Sequence, residues 1–285
     1  MFAVITAVCL WGSSFIGSKI ALQAFSPLLL CLVRFTISVL VLTVFRLTKK
    51  DYVRPSAHDL KYIILSAIAG ISVYHAVETV AVSLTSASDA SLISAAFPLI
   101  MIAVGIVHFR LKVTKKEVLG ILAAAAGVII VTVSAGDGTS SVTGNILMIA
   151  CGFLWAFYSY LTQKISRNCP EFTIAWLQMV TGAVCFIPML ILEKPSAVNI
   201  TPQVIAAVLF LSTCCSLLAL VLYNYGLRGV KASTAASLMN LMPAAGVVLS
   251  ALILHETITA RQIIGGLIIF AGVYITVSKK RQTEH

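Results

Sequence analysis

Apolar residues occur along this chain in long runs, each close to the length of a membrane-crossing helix. About 20 such residues cross a bilayer as an α-helix, the form that satisfies every backbone polar group within the segment. Two apolar stretches, 28–47 and 60–84, contain Arg34 and Glu78. Eight others contain no Asp, Glu, Lys or Arg, namely 1–18, 90–109, 118–136, 138–163, 172–192, 195–227, 232–255 and 262–278. The pattern predicts an all-α membrane protein with ten transmembrane helices.

Composition supports this prediction and excludes a soluble class. Hydrophobic residues make up 59% of the 285 residues and charged residues 11%, whereas a soluble domain carries about 25% charged residues. The connections between runs are too short for a separate soluble domain. A transmembrane β-barrel would alternate polar and apolar residues, and this chain does not. Any activity is therefore expected within the bilayer.

The net charge of +10 orients the predicted helices. Cytoplasmic loops of membrane proteins are rich in Lys and Arg. If the connection between the second and third helices is cytoplasmic, sixteen of the 20 basic residues share its side: Arg46, Lys49, Lys50, Arg54, Lys61, Arg110, Lys112, Lys115, Lys116, Lys164, Arg167, Arg228, Lys231, Lys279, Lys280 and Arg281. Only Lys19, Lys194 and Arg261 lie on the opposite side. Both termini are thus predicted in the cytoplasm of a multi-pass protein of the cell (inner) membrane. Membrane lipid is the expected partner of this charge, and nucleic acid is not required.

No enzymatic or metal-binding motif competes with this interpretation. The sequence contains no HExxH, no nucleophile elbow and no phosphate-binding loop. The seven cysteines lie almost entirely within predicted spans and lack metal-ligand spacing. Residues 1–20 have neither the basic region nor the cleavage site of a signal peptide, so they are interpreted as the first helix. We expect a non-enzyme without a cofactor.

The chain repeats itself at an offset of 145 residues. The stretch "SASDASLISAAFP" (86–98) aligns without a gap with "KASTAASLMNLMP" (231–243). The same offset pairs Gly120 with Gly265 and Gly127 with Gly272, small residues that suit close helix contact. We predict two units, 1–136 and 142–280, of five helices each. Because five is odd, the second unit enters the membrane from the opposite face, and the repeat is inverted.

Inverted repeats are the architecture of many secondary transporters, in which one fold supplies an outward-open and an inward-open state. The pattern therefore favours a transporter that works by alternating access. Duplication also builds channels and purely structural membrane proteins. A passive channel or facilitator and a structural or enzymatic subunit remain as alternatives.

The order of motifs resembles the ten-helix drug/metabolite transporter superfamily, in particular the EamA-like transporters. The resemblance rests on "LWGSSFIGSKI" (10–20), Arg34, the two aligned openings, "HETIT" (255–259) and the glycine-spaced fifth and tenth helices. It implies transport of small molecules, often export of metabolites or amino acids, from a central cavity between the halves. One departure is Leu111, which stands where the second half has Glu256.

Polar and aromatic side chains inside the spans mark the expected cavity, because polar groups within a membrane are costly and face an interior. Helix packing is the alternative role for the small hydroxyl residues among them. Pro98 and Pro243, at matched positions, are predicted helix kinks. The candidate substrate-binding residues are Trp11, Ser14, Tyr74, His75, Ser94, Trp155, Tyr158, Asn224 and Asn240.

Arg34 and Glu78 are the two charges expected deep in the membrane. Each lies seven residues from the predicted outer end of its helix, at Pro27 and near Thr85, which is about 10 Å. Opposite charges at one depth should pair, so an ion pair between them is predicted. His75, one turn deeper than Glu78, is the predicted site of reversible protonation. Proton coupling and a buried ion pair remain alternative roles for Glu78.

The scarcity of buried charge bears on the transported solute. Sugar phosphates and nucleotides would need repeated charges around the cavity, and the spans supply few. We predict a secondary transporter for small neutral, zwitterionic or amphipathic metabolites, with amino acids and export suggested by the family resemblance. A multidrug exporter of the same family is an alternative. The sequence leaves the substrate, the coupling ion and the oligomeric state open.

Overall fold

The protein is described here from a computed structural model covering residues 1–48, 54–109, 113–133, 140–166, 168–219, 221–222, 238 and 241–277. Apart from one isolated antiparallel bridge between Phe25 and Ala197, the regular elements in these ranges are helices. Two π-helical segments, π1 (Ile68–Val73) and π2 (Phe210–Leu218), interrupt or extend α-helices. The α-helices are α1 (Phe2–Ala21), α2 (Pro27–Thr48), α3 (Ala57–Ala67), α4 (Tyr74–Leu84), α5 (Ala87–Ser94), α6 (Phe97–Phe109), α7 (Lys115–Val133), α8 (Val142–Thr162), α9 (Glu171–Met189), α10 (Pro202–Leu209), α11 (Leu241–Ile253) and α12 (Ala260–Val277).

Several of these helices are long and apolar enough to cross a membrane. Within the described ranges six meet both criteria: Phe2–Ala21, Pro27–Leu47, Ala57–Leu84, Lys115–Val133, Val142–Thr162 and Glu171–Leu192. The bent pair of α5 and α6 makes up to seven. Shorter apolar helices are Pro202–Leu218, Leu241–Ile253 and Ala260–Thr276. The all-α prediction is confirmed for the described residues.

The sequence predicted one span over 90–109, and the structure divides this region into α5 and α6. The two helices meet at a bend of 43°. At the junction the Ala95 and Ala96 amides donate to carbonyls three residues back, on Leu92 and Ile93. Pro98 follows in the first turn of α6 and has no N–H to continue the α-helical ladder.

Helices α7 and α12 pack along each other through glycines. A Cβ on Gly120 would lie 2.6 Å from the Gly272 carbonyl oxygen, and one on Gly127 would lie 2.7 Å from that of Gly265. The early glycine of each helix thus meets the late glycine of the other, which makes the pair antiparallel. Without side chains at these positions the backbones approach closely, the usual basis of helix association in membranes.

The two π-helical segments occupy matched places. π1 lies within the continuous helix Ala57–Leu84, and π2 lies within Pro202–Leu218. These helices begin after Ser56 and Thr201, whose side chains accept hydrogen bonds from backbone amides three residues on. Ser56 and Thr201 are 145 residues apart, as are Val73 and Leu218, the last residues of the two π segments. π segments are rare and often occur at functional sites.

Helices α7 and α12 also begin alike. The Thr114 hydroxyl accepts from the Glu117 amide while the Glu117 carboxylate accepts from the Thr114 amide. Thr259 and Gln262 form the same reciprocal pair at the start of α12. Both are capping boxes, which satisfy amides left free at a helix start. They too are separated by 145 residues.

Hydrogen bonds join distant parts of the chain at the junction of α4 and α5. Asp89 is 1% exposed, and its carboxylate accepts from the Asn145 amide at 3.1 Å and from the Gln262 amide at 2.6 Å. Glu256 accepts from the Ala87 and Ser88 backbone amides at 2.8 and 3.0 Å. The start of α5 is thereby held by side chains from α8 and from the segment around α12.

Glu256→Ala should lower the stability of the folded protein. The carboxylate also accepts from the Ser88 hydroxyl at 2.6 Å, so its removal leaves backbone donors at the start of α5 without an acceptor. A lost cap of this kind costs about 0.5–2 kcal/mol. We expect a lower melting temperature in detergent. Glu171→Ala is the control, because Glu171 lies in the first turn of α9 and the Pro170 cap there makes no side-chain hydrogen bond. Equal melting temperatures for the two variants would contradict the prediction.

Candidate functional site

A polar cluster lies on one face of α4, immediately after π1. Tyr74, His75 and Glu78 are spaced three and four residues apart, which brings them together on a helix. The Tyr74 hydroxyl donates to Glu78 Oε1 at 2.8 Å, and His75 Nδ1 lies 2.8 Å from Glu78 Oε2. The His75 and Glu78 side chains are 17% and 13% exposed. Both oxygens of one buried carboxylate are thus engaged by groups that can carry or donate a proton.

Aromatic rings extend the cluster toward α8. The Tyr74 ring lies 5.6 Å from that of Trp155, which lies 5.1 Å from that of Tyr158. Tyr74 also meets Phe97 of α6 edge-on, with centroids 6.4 Å apart. Trp155 is 37% exposed although it contacts buried Tyr74, so part of this residue is not covered by protein. Together the rings form an apolar wall beside the Glu78 carboxylate.

Glycines allow the π1 segment to pack closely against this wall. A Cβ on Gly70 would lie 2.2 Å from Cδ2 of Tyr158, and one on Gly182 would lie 2.2 Å from Cγ2 of Ile71. The Tyr158 ring therefore covers the backbone of π1 on one side, and α9 covers it on another. This packing fixes the irregular segment directly before the polar cluster.

The predicted ion pair between Arg34 and Glu78 is absent from the described structure. Glu78 pairs with His75 instead, and Arg34 donates from Nε to the Ser216 hydroxyl of π2 at 3.1 Å. The reason is local: Tyr74 and His75 reach both carboxylate oxygens from the same helix. Arg34 remains near the cluster, because its neighbour Phe35 lies with its ring 4.9 Å from that of His75.

Trp11 of α1 lies beside π2, and Ser14 lies one turn further along α1. The Trp11 indole donates to the Cys215 carbonyl at 3.1 Å. The Ser14 hydroxyl donates to the Trp11 carbonyl at 2.7 Å. The Trp11 bond joins α1 to the π2 segment that also contacts Arg34, and the Ser14 bond lies within α1. The structure thus places the predicted site residues in two groups, one around Glu78 and one around Arg34.

The remaining predicted site residues are placed differently. The Ser94 hydroxyl is buried and donates to the Ser91 carbonyl within α5. The Pro243 carbonyl accepts from the Ser91 hydroxyl at 3.2 Å, which joins α11 to α5. Asn224 and Asn240 lie outside the described residues. Ser94 is therefore bonded within its own helix, and Pro243 takes part in the packing of α11 on α5.

Three contacts of the predicted site residues were not anticipated from the sequence. Phe35 contacts His75, Phe97 contacts Tyr74, and Ser216 accepts from Arg34. Phe residues in apolar spans give no signal of their own. Ser216 follows two cysteines in an apolar stretch, so the sequence suggests only a packing role for it. Its bond to Arg34 depends on the contact between π2 and α2.

A groove of about 630 Å³ opens between α1, α10 and the end of α11. Its lining is mostly apolar, with Gln23 and Gln203 as its larger polar side chains. It does not include the Glu78 cluster. The residues that line it are Ser13, Ile16, Gly17, Ile20, Gln23, Gln203, Ala206, Ala207, Phe210, Ile253 and Leu254.

The chemistry available to the cluster is binding and proton transfer. Over the described residues, no group of three or more His, Cys, Asp or Glu side chains could hold a metal ion. A carboxylate, an imidazole and a phenol in contact can accept, share or release a proton, and the rings beside them can contact an apolar solute.

Comparison with known proteins agrees with a membrane transporter. The sequence profile of the EamA-like transporter family matches residues 1–133 and 142–278. An uncharacterized transporter of Archaeoglobus fulgidus is 28% identical over 278 residues, 96% of this chain and 95% of that protein. A protein of Salmonella typhimurium named a probable amino-acid metabolite efflux pump is 25% identical, over 97% of this chain and 94% of its own. A crystal structure with 20% sequence identity covers 96% of both chains at a TM-score of 0.67. This chain belongs to the EamA-like transporter family.

Proposed function

We propose that this protein is a secondary transporter that moves small neutral or zwitterionic metabolites of the amino-acid type, in the direction of export, by alternating access between two inverted five-helix repeats. The repeats are 1–136 and 142–280. Both termini face the cytoplasm in this proposal, as the distribution of basic residues indicates.

The reciprocal glycine contact between α7 and α12 carries the proposal. At the offset of 145 residues, Gly120 corresponds to Gly265 and Gly127 to Gly272. Gly120 meets Gly272 while Gly127 meets Gly265, so each contact becomes the other when the two halves are exchanged. An exchange that also reverses helix direction corresponds to a rotation about a two-fold axis that lies in the membrane plane. That symmetry defines an inverted repeat.

Further features support the same relationship. The π segments of Ala57–Leu84 and Pro202–Leu218 and the capping boxes at Thr114 and Thr259 recur at the same offset. Adding the three shorter apolar helices to the seven spans counted with the bent pair gives ten. Helices α10, α11 and α12 belong to the proposed second half, where several residues lie outside the described ranges.

The Glu78 cluster supports the proposed substrate class. Its position, among α2, α4, α6 and α8, places one carboxylate and several aromatic rings inside the helix bundle. Such a lining suits a small solute with a polar end and an apolar body. The name of the Salmonella typhimurium relative, an efflux pump for amino-acid metabolites, agrees with this class.

Solute counterflow in proteoliposomes tests the proposal. Purified protein is reconstituted and the uptake of labelled amino acids is measured with and without unlabelled amino acid inside. Exchange acceleration by internal solute is expected, because a carrier reorients faster when loaded. Uptake that never responds to internal solute and never moves protons would instead indicate a passive channel. A complete absence of solute flux across the panel would contradict the transport function.

Trp155→Ala should weaken the apparent affinity for a transported solute about three- to tenfold, since an aromatic contact is worth about 0.5–1.5 kcal/mol beyond its buried area. The measurement is the half-saturation concentration in the same vesicles. Phe153→Ala is the matched control: Phe153 belongs to the same helix and is 46% exposed, but it has no ring contact with the cluster in the described structure. Equal affinities in wild type and Trp155→Ala would assign the indole to packing.

A further inference from the structure

Arg34 is a buried cation whose hydrogen-bonding capacity is mostly unused. It lies in α2 and is 7% exposed. Its Nε donates to the Ser216 hydroxyl at 3.1 Å. Over the described residues, neither terminal nitrogen, Nη1 or Nη2, has a hydrogen-bond partner, and no carboxylate lies within 4.0 Å of the guanidinium. A charge at this depth is expensive unless it acquires a partner.

The two terminal nitrogens of Arg34 are not fully enclosed by protein. In the described part of the chain, the only fully enclosed side-chain atoms without a partner are the hydroxyls of Thr132 and Thr162. Nη1 and Nη2 of Arg34 are not among them, so they keep accessible surface although the residue as a whole is buried. The edge of the guanidinium that carries both nitrogens is therefore the accessible part of this side chain.

The opposite edge of the guanidinium is held in place. Ser216, which accepts from Nε, donates its own proton to the Leu211 carbonyl five residues back at 2.9 Å. Ser38 donates to the Arg34 carbonyl and to the Ser212 carbonyl, both at 3.0 Å. These contacts fix α2 against π2. The guanidinium thus presents its terminal nitrogens in one orientation, as bidentate binding requires.

A complementary charge lies near Arg34. Arg34 is within electrostatic range of the Glu78 carboxylate, but the two groups do not touch. The Phe35 ring is near both groups: its centroid lies 5.3 Å from Cζ of Arg34 and 4.9 Å from the ring of His75, the partner of Glu78. A separated cation and anion that share an interior match the two ends of a zwitterion.

We propose that Arg34 binds the carboxylate of the transported solute through its two terminal nitrogens, while Glu78 faces the solute's amino group. This inference rests on the proposed transport function and narrows the substrate to carboxylate-bearing, amino-acid-like molecules. Ser216 acts as a positioning residue through its bond to Nε. The planar fork of a guanidinium matches a carboxylate with two parallel hydrogen bonds.

Thermal stabilisation of the purified full chain tests the proposal with matched ligands. The probes are the proteinogenic amino acids, each compared with its amide, which keeps the amino group and side chain but lacks the carboxylate. Ligand-dependent melting temperatures give apparent dissociation constants. For at least one pair we expect wild type to prefer the acid by about tenfold or more, the usual scale of a charge-assisted hydrogen bond. Arg34→Gln should bring that ratio close to one, and Arg34→Lys should give an intermediate ratio.

Arg46→Gln is the control, because Arg46 belongs to the same helix but lies over the Trp176 ring, far along α2 from the cluster. It should retain the wild-type preference for the acid. If the wild-type protein binds no amino acid more tightly than the corresponding amide, the proposal is overturned. This result is decisive even if Arg34→Gln fails to fold. An unchanged preference in folded Arg34→Gln would overturn it as well. Solute counterflow separates the two hypotheses, since vesicles that exchange amides or amines through wild type retain the transport function without a carboxylate site at Arg34.

Discussion

Gly127→Leu should abolish or strongly reduce the yield of folded protein. A Cβ at position 127 would lie 2.7 Å from the Gly265 carbonyl oxygen and 2.9 Å from the Ile269 backbone nitrogen. Backbone atoms cannot move aside as a flexible side chain can, so α7 and α12 would have to separate. Overpacking of this kind costs about 1–3 kcal/mol, occasionally more, and it breaks the contact that relates the two proposed repeats. The measurements are the monodisperse fraction after purification and the melting temperature.

Ala126→Leu is the matched control, because it adds a larger side chain to the adjacent, exposed position of the same helix. We expect yield and melting temperature close to wild type. A Gly127→Leu protein as stable as Ala126→Leu would show that the close approach of α7 and α12 does not support the fold. Gly272→Leu, at the position paired with Gly127 by the repeat, should reproduce the loss, since its Cβ would lie 2.5 Å from the Gly120 carbonyl oxygen.

Glu78→Gln should reduce transport about tenfold or more and remove its response to a pH gradient. The carboxylate accepts from Tyr74 and contacts the His75 ring at the same distance of 2.8 Å. Glutamine offers one acceptor oxygen and cannot take up a proton, so one buried group loses its partner at a cost of about 1–3 kcal/mol. The measurement is counterflow and gradient-driven uptake in proteoliposomes at several external pH values. His75→Ala should alter the same pH response, and because it leaves Glu78 Oε2 without its partner it should also lower the melting temperature.

Glu117→Gln is the matched control, because it makes the same chemical change at an exposed helix start. The equivalent position in the second half is already a glutamine, Gln262. Its transport and pH response should match wild type. If Glu78→Gln transports at the wild-type rate, the cluster is not part of the transport path. If exchange persists and only the proton-driven component is lost, Glu78 is the proton carrier rather than a determinant of the site's shape.

Much of the fold could be predicted from the apolar runs, since the physics that selects them is simple. A stretch such as 118–136 must be helical in a bilayer, and the structure begins and ends α7 within three residues of those limits. Helical spacing likewise placed Tyr74, His75 and Glu78 on one face. The division of the predicted span 90–109 into two helices was harder to predict, because Pro98 indicates a kink but does not fix its angle.

The partners of the buried charges could not be predicted from depth. Equal depths suggested that Arg34 and Glu78 pair, but a carboxylate on a helix is reached first by side chains three and four residues before it. Arg34 instead meets Ser216, 182 positions away in the chain. The π segments also lack a compositional signal, and π1 is accommodated by contacts that Gly70 and Gly182 permit with Tyr158 and Ile71.

The sequence by itself determined that the protein is embedded in a membrane and that it is helical. It also determined the offset of the internal repeat and the face of α4 that carries Tyr74, His75 and Glu78. The offset follows from aligning the chain with itself, and the other three follow from hydrophobicity or from the period of a helix, which are properties of neighbouring residues. Only the tertiary structure decided which helices meet, that Gly127 lies against Gly265, and that two nitrogens of Arg34 have no hydrogen-bond partner among the described residues. Those facts depend on contacts between segments far apart in the chain, and no local property of the sequence encodes them.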